Sequence, residues 1–189
     1  PPVYDLGAPN FVFTGTMDYP PNVDAVTWFA TEILPIVRRT LPNARFHIVG
    51  HSPAESVRRL TSIEGVFVTG RVDDVRPYVA HATAAVAPMR IARGIQNKVL
   101  EAMACGAPVV AASKAVSALS AQPGQDLLVA DAPFVEHQEA DAQPRFRGQH
   151  QAAAAVREAA EAVDPDIAAR RADGFQHVAD AVGRDNRPA

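Results

Sequence analysis

Residues 88–110 read PMRIARGIQNKVLEAMACGAPVV. The chain leaves an apolar run ending at Ala87, crosses a loop that holds Arg90, Arg93 and Gly94, and enters a helical pattern near Gln96. Val99, Leu100 and Met103 mark an apolar helix face, and Gly106 stands where a helix C-terminus takes a left-handed residue. A second apolar run begins at Pro108. Strand, loop, helix and strand within so few residues describe a parallel βαβ crossover.

The same rhythm extends on both sides. Phe11–Thr14, Arg45–Val49, Val66–Thr69, Ala84–Ala87, Pro108–Ala111 and Leu127–Ala130 are short, Val- and Phe-rich runs that end near Gly or Pro. Val23, Val26, Ala30, Ile33, Leu34 and Val37 recur at helical spacing. Ser52-Pro53-Ala54-Glu55 has the form of a capping box with proline at the first helical position. Strands alternating with helices predict an α/β fold, a Rossmann-like, doubly wound parallel sheet with right-handed crossovers. Ligands of such sheets bind beyond the carboxyl ends of the strands, so the loops after Thr14, Val49, Thr69, Ala87 and Ala111 are the ones to read.

Composition narrows the class. A chain of 189 residues with 48% hydrophobic content suits one domain, or one domain and a tail. A net charge of −3 points neither to nucleic acid nor to a membrane surface. Lys98 and Lys114 are the only lysines. The single cysteine, Cys105, rules out an intrachain disulfide and fits a reducing compartment. No apolar run approaches the roughly 18 residues of a membrane span, and no secretory signal pattern opens the chain. Residues 1–10 read as a linker entering a domain at 11–132. From Pro133 onward leucine disappears and Ala, Arg, Asp, Gln and His dominate. That stretch, 133–189, is expected to be a helix-prone or disordered tail, from a divergent ending or a shifted reading frame.

The chemistry concentrates in 88–110. A helix N-terminus presents unpaired N–H groups and partial positive charge, which suit phosphate. Gly94 lets backbone approach a ligand, and Arg90, Arg93 and Lys98 add charge for a diphosphate. Glu101, on the same helix, has a carboxylate able to accept from both hydroxyls of a ribose. The plainer alternatives are a surface Lys98–Glu101 pair worth about 0.3 kcal/mol and solvated loop arginines. Cys105 is read as a small buried residue at a helix end, not a nucleophile. The histidines show no metal-ligand spacing, and the chain has neither G-x-G-x-x-G nor a P-loop.

Taken in order, FVFTGTMDYPPNVDAVTWF, ARFHIVG, GVFVTGRVDDVRPYVAHA, APMRIARGIQNKVLEAMACGAPVV and PGQDLLVAD resemble the C-terminal, donor-binding domain of GT-B retaining glycosyltransferases of family 4. The resemblance covers about residues 10–131 and is nearest to sugar transferases of bacterial exopolysaccharide loci linked to the PEP-CTERM/exosortase system. It implies a nucleotide-sugar donor, an acceptor domain N-terminal to this one, a cytoplasmic or peripherally membrane-associated enzyme, and no metal or other cofactor. The family motif E-x7-E places its second glutamate, the ribose ligand, on Glu101. Its first falls on Arg93, a departure, and Gln96 stands where relatives often have glycine. The loop after the first strand often carries a basic pair for the diphosphate, whereas Thr16–Asn22 has none; Arg93 and Lys98 are expected to supply that charge.

The donor-binding set implied by the resemblance is Glu101, Lys98, Arg93, Gly94, Ile95, Gln96, Asn97, Gly15, Arg71 and Val72, with no catalytic residue assigned. Gly70-Arg71-Val72-Asp73 matches the loop beside the nucleobase; the plainer reading is a strand-to-helix turn capped by Asp73 or Asp74. Half a cleft is expected to bind a nucleoside diphosphate weakly and to transfer no sugar by itself. Two other functions fit the same residues: a GT-B-fold nucleotide-sugar epimerase, and a non-catalytic nucleotide-binding module.

Overall fold

A computed structural model of the chain describes residues 8–131. The expected tail at 133–189 and most of the expected linker lie outside the described residues. Six parallel strands form one sheet: β1 (Asn10–Thr14), β2 (Arg45–Val49), β3 (Val66–Gly70), β4 (Ala84–Ala87), β5 (Val109–Ala111) and β6 (Leu128–Val129). Their order is β3-β2-β1-β4-β5-β6, the doubly wound arrangement read from the sequence. Each strand coincides with an apolar run because a parallel sheet is covered on both faces, so both sides of the pleat need apolar residues. In β1 and β4 every residue is buried.

The chain runs outward from β1 to β3, then returns past β1 to β4 and runs the other way. The switch point therefore lies between β1 and β4, which pair at Phe11–Ala84 and Val12–Ala85. Right-handed crossovers put the helices of the two halves on opposite faces. On one face lie α1 (Pro20–Trp28), its continuation α2 (Leu34–Arg38) and α3 (Glu55–Arg59), with α1 against α3. After α4 (Arg76–Ala80), α5 (Asn97–Ala104) packs on β4 and β5, and α6 (Ser113–Val116) follows β5.

The helical spacing from Val23 to Val37 is realised as one long helix with a widened π turn at Phe29–Ile33 between α1 and α2. Pro35 follows that turn. A proline lacks the N–H for the regular helical bond and its ring crowds the carbonyl four residues earlier, and widening the turn relieves both. Val26, Ala30, Ile33, Leu34 and Val37 are buried, and Phe29 bridges helix and sheet with its ring centroid 4.3 Å from Phe46 and 6.3 Å from Phe11.

Two local expectations are corrected. Ser52 does not cap a helix: it adopts φ 54°, its hydroxyl lies 3.1 Å from His51 Nδ1, and α3 begins only at Glu55. The backbone is taken up elsewhere, since Ala54 N–H donates to Met17 O at 3.0 Å. Glu55 pairs forward with Arg59 at 3.2 Å instead of reaching back. On α5 the buried face is Val99 and Ala102, with Met103 partly covered, whereas Leu100 is exposed. Residues one apart on a helix point about 100° from each other, so Val99 and Leu100 cannot both face the sheet. The end of α5 is as expected: Gly106 takes φ 67°, its N–H donates to Met103 O at 2.9 Å and that of Ala107 to Ala102 O at 3.0 Å, a Schellman motif.

Candidate functional site

The carboxyl ends of β1, β2 and β3 each run into glycine: Gly15, Gly50 and, as the last strand residue, Gly70. These three connections are knitted by backbone bonds. Gly15 N–H donates to Val49 O at 3.1 Å, Met17 N–H to His51 O at 2.9 Å, and Gly50 N–H to Gly70 O at 3.2 Å. The approach is close enough that a Cβ on Gly50 would sit 1.7 Å from the Gly15 oxygen. The register of β2 with β3 slips between Ile48 and Val49, so Val49 pairs with Gly70. Such a bulge at an edge strand re-aims the residues that follow, here Arg71 and Val72.

Across the switch point, the loop from β4 to α5 comes down beside the β1–α1 connection. Two side-chain contacts join them. Arg90 Nε donates to Asp24 Oδ2 at 3.0 Å, a terminal guanidinium N–H donates to Asp24 Oδ1, and the guanidinium lies 5.4 Å from the Trp28 ring centroid. Lys98 Nζ donates to Asn22 Oδ1 at 3.1 Å and to Gln96 Oε1 at 3.4 Å, and sits 5.1 Å from the Phe13 ring centroid. Its ammonium is half-buried and burial lowers its pKa, while the field of Glu101 opposes that shift.

These contacts place the arginines and the lysine differently. Arg90 is committed to Asp24 and Trp28 and so anchors the loop instead of presenting its charge. Lys98 is no surface partner of Glu101: it points inward, and among the described residues its hydrogen-bond acceptors are neutral amides. Arg93 is exposed, and among the described residues its guanidinium makes no hydrogen bond or ion pair; its carbonyl accepts from Gln96 Nε2 at 3.2 Å. Gly94 takes φ 64° with open space where a Cβ would stand, and Ile95 is 58% exposed. Gln96 occupies the N-cap of α5 without a side-chain cap to the helix, and Asn97 is its first residue. Glu101 is exposed one turn further on.

The sheet thus brings Gly15, Gln96, Asn97 and Lys98 to the switch point, with Glu101 on the same helix and Arg93, Gly94 and Ile95 on the loop before it. Arg71 and Val72 lie further off, at the end of β3. From β3 to β4 there are three inter-strand steps of about 4.8 Å, about 14 Å in all. That is the scale of an extended nucleoside diphosphate. The plainer reading of the β3–α4 loop also has substance: Asp74 Oδ1 accepts from Arg76 N–H at 2.9 Å, and the Arg76 guanidinium holds its carboxyl below the usual range. Cys105 is buried and burial pushes its thiol up, against nucleophilic use.

Residues that sequence reasoning passed over are Asn22 and Asp24, which receive the lysine and the arginine, and the group Thr16, His51 and Ser52. His51 Nε2 is 3.0 Å from Thr16 Oγ1 at the end of β1. Asn22 carried one visible signal, a polar residue inside an otherwise apolar helical stripe.

The sheet order and its switch point define a Rossmann-like domain, the fold of one half of a GT-B glycosyltransferase. Residues 8–142 match the family model described as Glycosyl transferases group 1, more than half of the chain, and the chain belongs to that family. It is 36% identical over 107 residues to the phosphatidyl-myo-inositol mannosyltransferase of Propionibacterium freudenreichii subsp. shermanii, covering 56% of this chain and 26% of that protein. The chain thus matches about a quarter of that relative's length.

Among solved structures, TarM of S. aureus, in a complex that includes UDP, superposes with a TM-score of 0.58 at 14% identity, covering 90% of this chain and 36% of that one. The pneumococcal O-GlcNAc transferase GtfA, in complex with UDP and GlcNAc, gives 0.56 at 15% identity over 88% and 32% of the two chains. The lipopolysaccharide glycosyltransferase WaaG gives 0.53 at 19% identity over 90% and 42%. At these identities the likeness is one of fold. Among the described residues no helix is long and apolar enough to cross a membrane, and no group of His, Cys, Asp and Glu has the makings of a metal site.

Proposed function

We propose that residues 11–132 are the donor-binding domain of a retaining glycosyltransferase that takes a nucleotide sugar and, together with an N-terminal acceptor domain, transfers its sugar during polysaccharide or glycoconjugate synthesis. The observation that carries this reading is the half-buried Lys98 ammonium at the switch point, beside the uncapped N-terminus of α5 and held by neutral amides. A cation with no ion-pair partner among the described residues, next to a helix N-terminus, suits a diphosphate.

In this reading the diphosphate lies between Gly15 and the start of α5, where Gly94, Ile95, Gln96 and Asn97 bring backbone close. Arg93 adds exposed charge from the loop. Glu101 takes the ribose diol, and Arg71 and Val72 flank the base. Departure of the nucleoside diphosphate develops charge on its oxygens, and Lys98 with the α5 dipole would stabilise that charge in place. The UDP held by the TarM and GtfA structures and the mannosyl transfer named for the Propionibacterium relative support the donor class. A place in bacterial exopolysaccharide synthesis, at the cytoplasmic side of the membrane, extends the same resemblance.

A thermal-shift screen of UDP-, GDP-, ADP- and TDP-sugars tests this, because a ligand that binds the folded state alone raises the melting temperature. One nucleotide class should raise it by several degrees at millimolar concentration. A flat response to all four would overturn the reading.

A further inference from the structure

Asn22 is one of four buried polar residues among those described, 4% exposed in the first turns of α1. Both ends of its amide are used. Nδ2 donates to the Thr16 carbonyl at 3.0 Å, and Oδ1 accepts from Lys98 Nζ at 3.1 Å. The carbonyl partner fixes the orientation: a donor must face Thr16, so the oxygen must face Lys98. Of the side chains of this size, a carboxylate could receive the lysine but not donate to Thr16, and an aliphatic group could do neither.

The surroundings keep that geometry. A Cβ on Gly15 would stand 2.7 Å from Asn22 Nδ2, so the glycine leaves the room the amide occupies. The Phe13 ring lies under the ammonium. Gln96, the second acceptor, is also neutral. A partner carboxylate would hold the lysine as firmly but would cancel its charge; an amide gives direction and leaves the charge standing.

We infer that Asn22 is a positioning residue for Lys98: across the switch point it aims an uncancelled cation at the carboxyl end of β1, where the charge of a diphosphate is met. The inference rests on the reading of Lys98 proposed above, and the test separates the two.

Inorganic pyrophosphate serves as a probe free of base and sugar, and its affinity is measured by calorimetry for the unmodified chain and for Lys98→Met, Asn22→Ala and Asn22→Asp, with a melting curve for each. Lys98→Met should weaken binding at least tenfold. Asn22→Asp should weaken it comparably, since the new carboxylate neutralises the lysine, and Asn22→Ala by about three- to tenfold. Nitrogen NMR should show the Lys98 pKa raised in Asn22→Asp and lowered in Asn22→Ala, a change that a merely structural role would not produce.

If Lys98→Met binds as before, the diphosphate assignment of Lys98 fails, and this inference falls with it. If Lys98→Met is weak but both Asn22 variants are folded and bind like the unmodified chain, the inference alone fails. Should the Asn22 variants not fold, the unmodified chain still decides: the Asn22 side-chain amide resonances must move with pyrophosphate along the same saturation curve as Lys98 Nζ, and static resonances overturn the proposal.

Discussion

Arg90 grips Asp24 with two hydrogen bonds while lying over Trp28, and so ties the β4–α5 loop to the helix that follows β1. The two residues are 66 positions apart and meet because the sheet order sets β4 beside β1. Together with Lys98–Asn22, the pair joins the β4–α5 segment to the first turns of α1. It anchors the loop that carries Arg93 and Gly94.

Arg90→Lys should therefore not restore what Arg90→Ala removes, because an ammonium cannot match the paired carboxylate oxygens or stack flat on an indole. Both groups are partly exposed, at 45% and 26% for the side chains, so the stability cost is small, within about 1 kcal/mol. A double-mutant cycle with Asp24→Asn in denaturant should give a coupling on that order. Nucleotide affinity should fall several-fold while the melting temperature changes by a few degrees or less. Variants that bind as tightly as the unmodified chain would show that the loop needs no such anchor.

Glu101→Gln should weaken nucleoside binding by roughly 10- to 100-fold, the range that hydrogen bonds to a charged group, about 1.5–3 kcal/mol, convert to. The fold should be untouched, since Glu101 is exposed on a helix and glutamine is a comparable helix former. Lys98→Ala should act differently, costing more with a nucleoside diphosphate than with the nucleoside. Calorimetry of both variants with both ligands checks this, and equal losses for the two ligands in Lys98→Ala would remove the diphosphate assignment.

His47 supplies a pH-dependent prediction. It is buried in β2, stacked 5.0 Å from the Phe67 ring. Its Nε2 lies 3.0 Å from Asn10 Oδ1. Asn10 Nδ2 donates to Ala8 O at 2.7 Å, so Oδ1 is the acceptor and His47 carries a proton on Nε2. Burial, helped by the nearby Arg45 charge, lowers its pKa from 6.5 to about 4. The folded state then binds fewer protons than the unfolded state between those values. The stability is fully present above about pH 6.5 and is lost as pH falls toward about 4, with a slope near 1.4 kcal/mol per pH unit in mid-window. Urea denaturation at pH 7 and pH 5 should show the loss, and His47→Gln should flatten it; an equal slope in that variant would put the titration elsewhere.

The glycines should divide by environment. Gly50 and Gly106 both have positive φ, at 151° and 67°. A Cβ on Gly50 meets the Gly15 oxygen at 1.7 Å, whereas one on Gly106 meets nothing within 4 Å. Gly106→Ala should cost about 1 kcal/mol from the backbone alone. Gly50→Ala must push apart the β1 and β2 connections and should cost more than about 4 kcal/mol or prevent folding. Denaturant midpoints of the two variants compare them directly, and similar midpoints would refute the close approach.

The sequence by itself determined the six strands, because strands of a parallel sheet covered on both faces are mostly apolar, and such runs stand out from the amphipathic helices between them. It also determined the end of α5 at Gly106, since only the local backbone is involved. Ser52–Glu55 shows where local pattern loses: the cap was legible, but Ala54 bonds to Met17, a contact between the β1 and β2 connections, and Ser52 turns to its neighbour His51, which itself meets Thr16.

Lys98 and Glu101 could be named as candidates from the helix pattern, Gln96 and Gly15 from the family resemblance. Which way Lys98 points could not, because spacing on α5 allows a pair with Glu101 as readily as an inward turn. Only the tertiary structure decided it, by bringing Asn22 from 76 positions away to within hydrogen-bonding distance. The same holds for Arg90 and Asp24. A side chain's partner depends on what the sheet order sets beside it, and that neighbour belongs to a distant part of the chain.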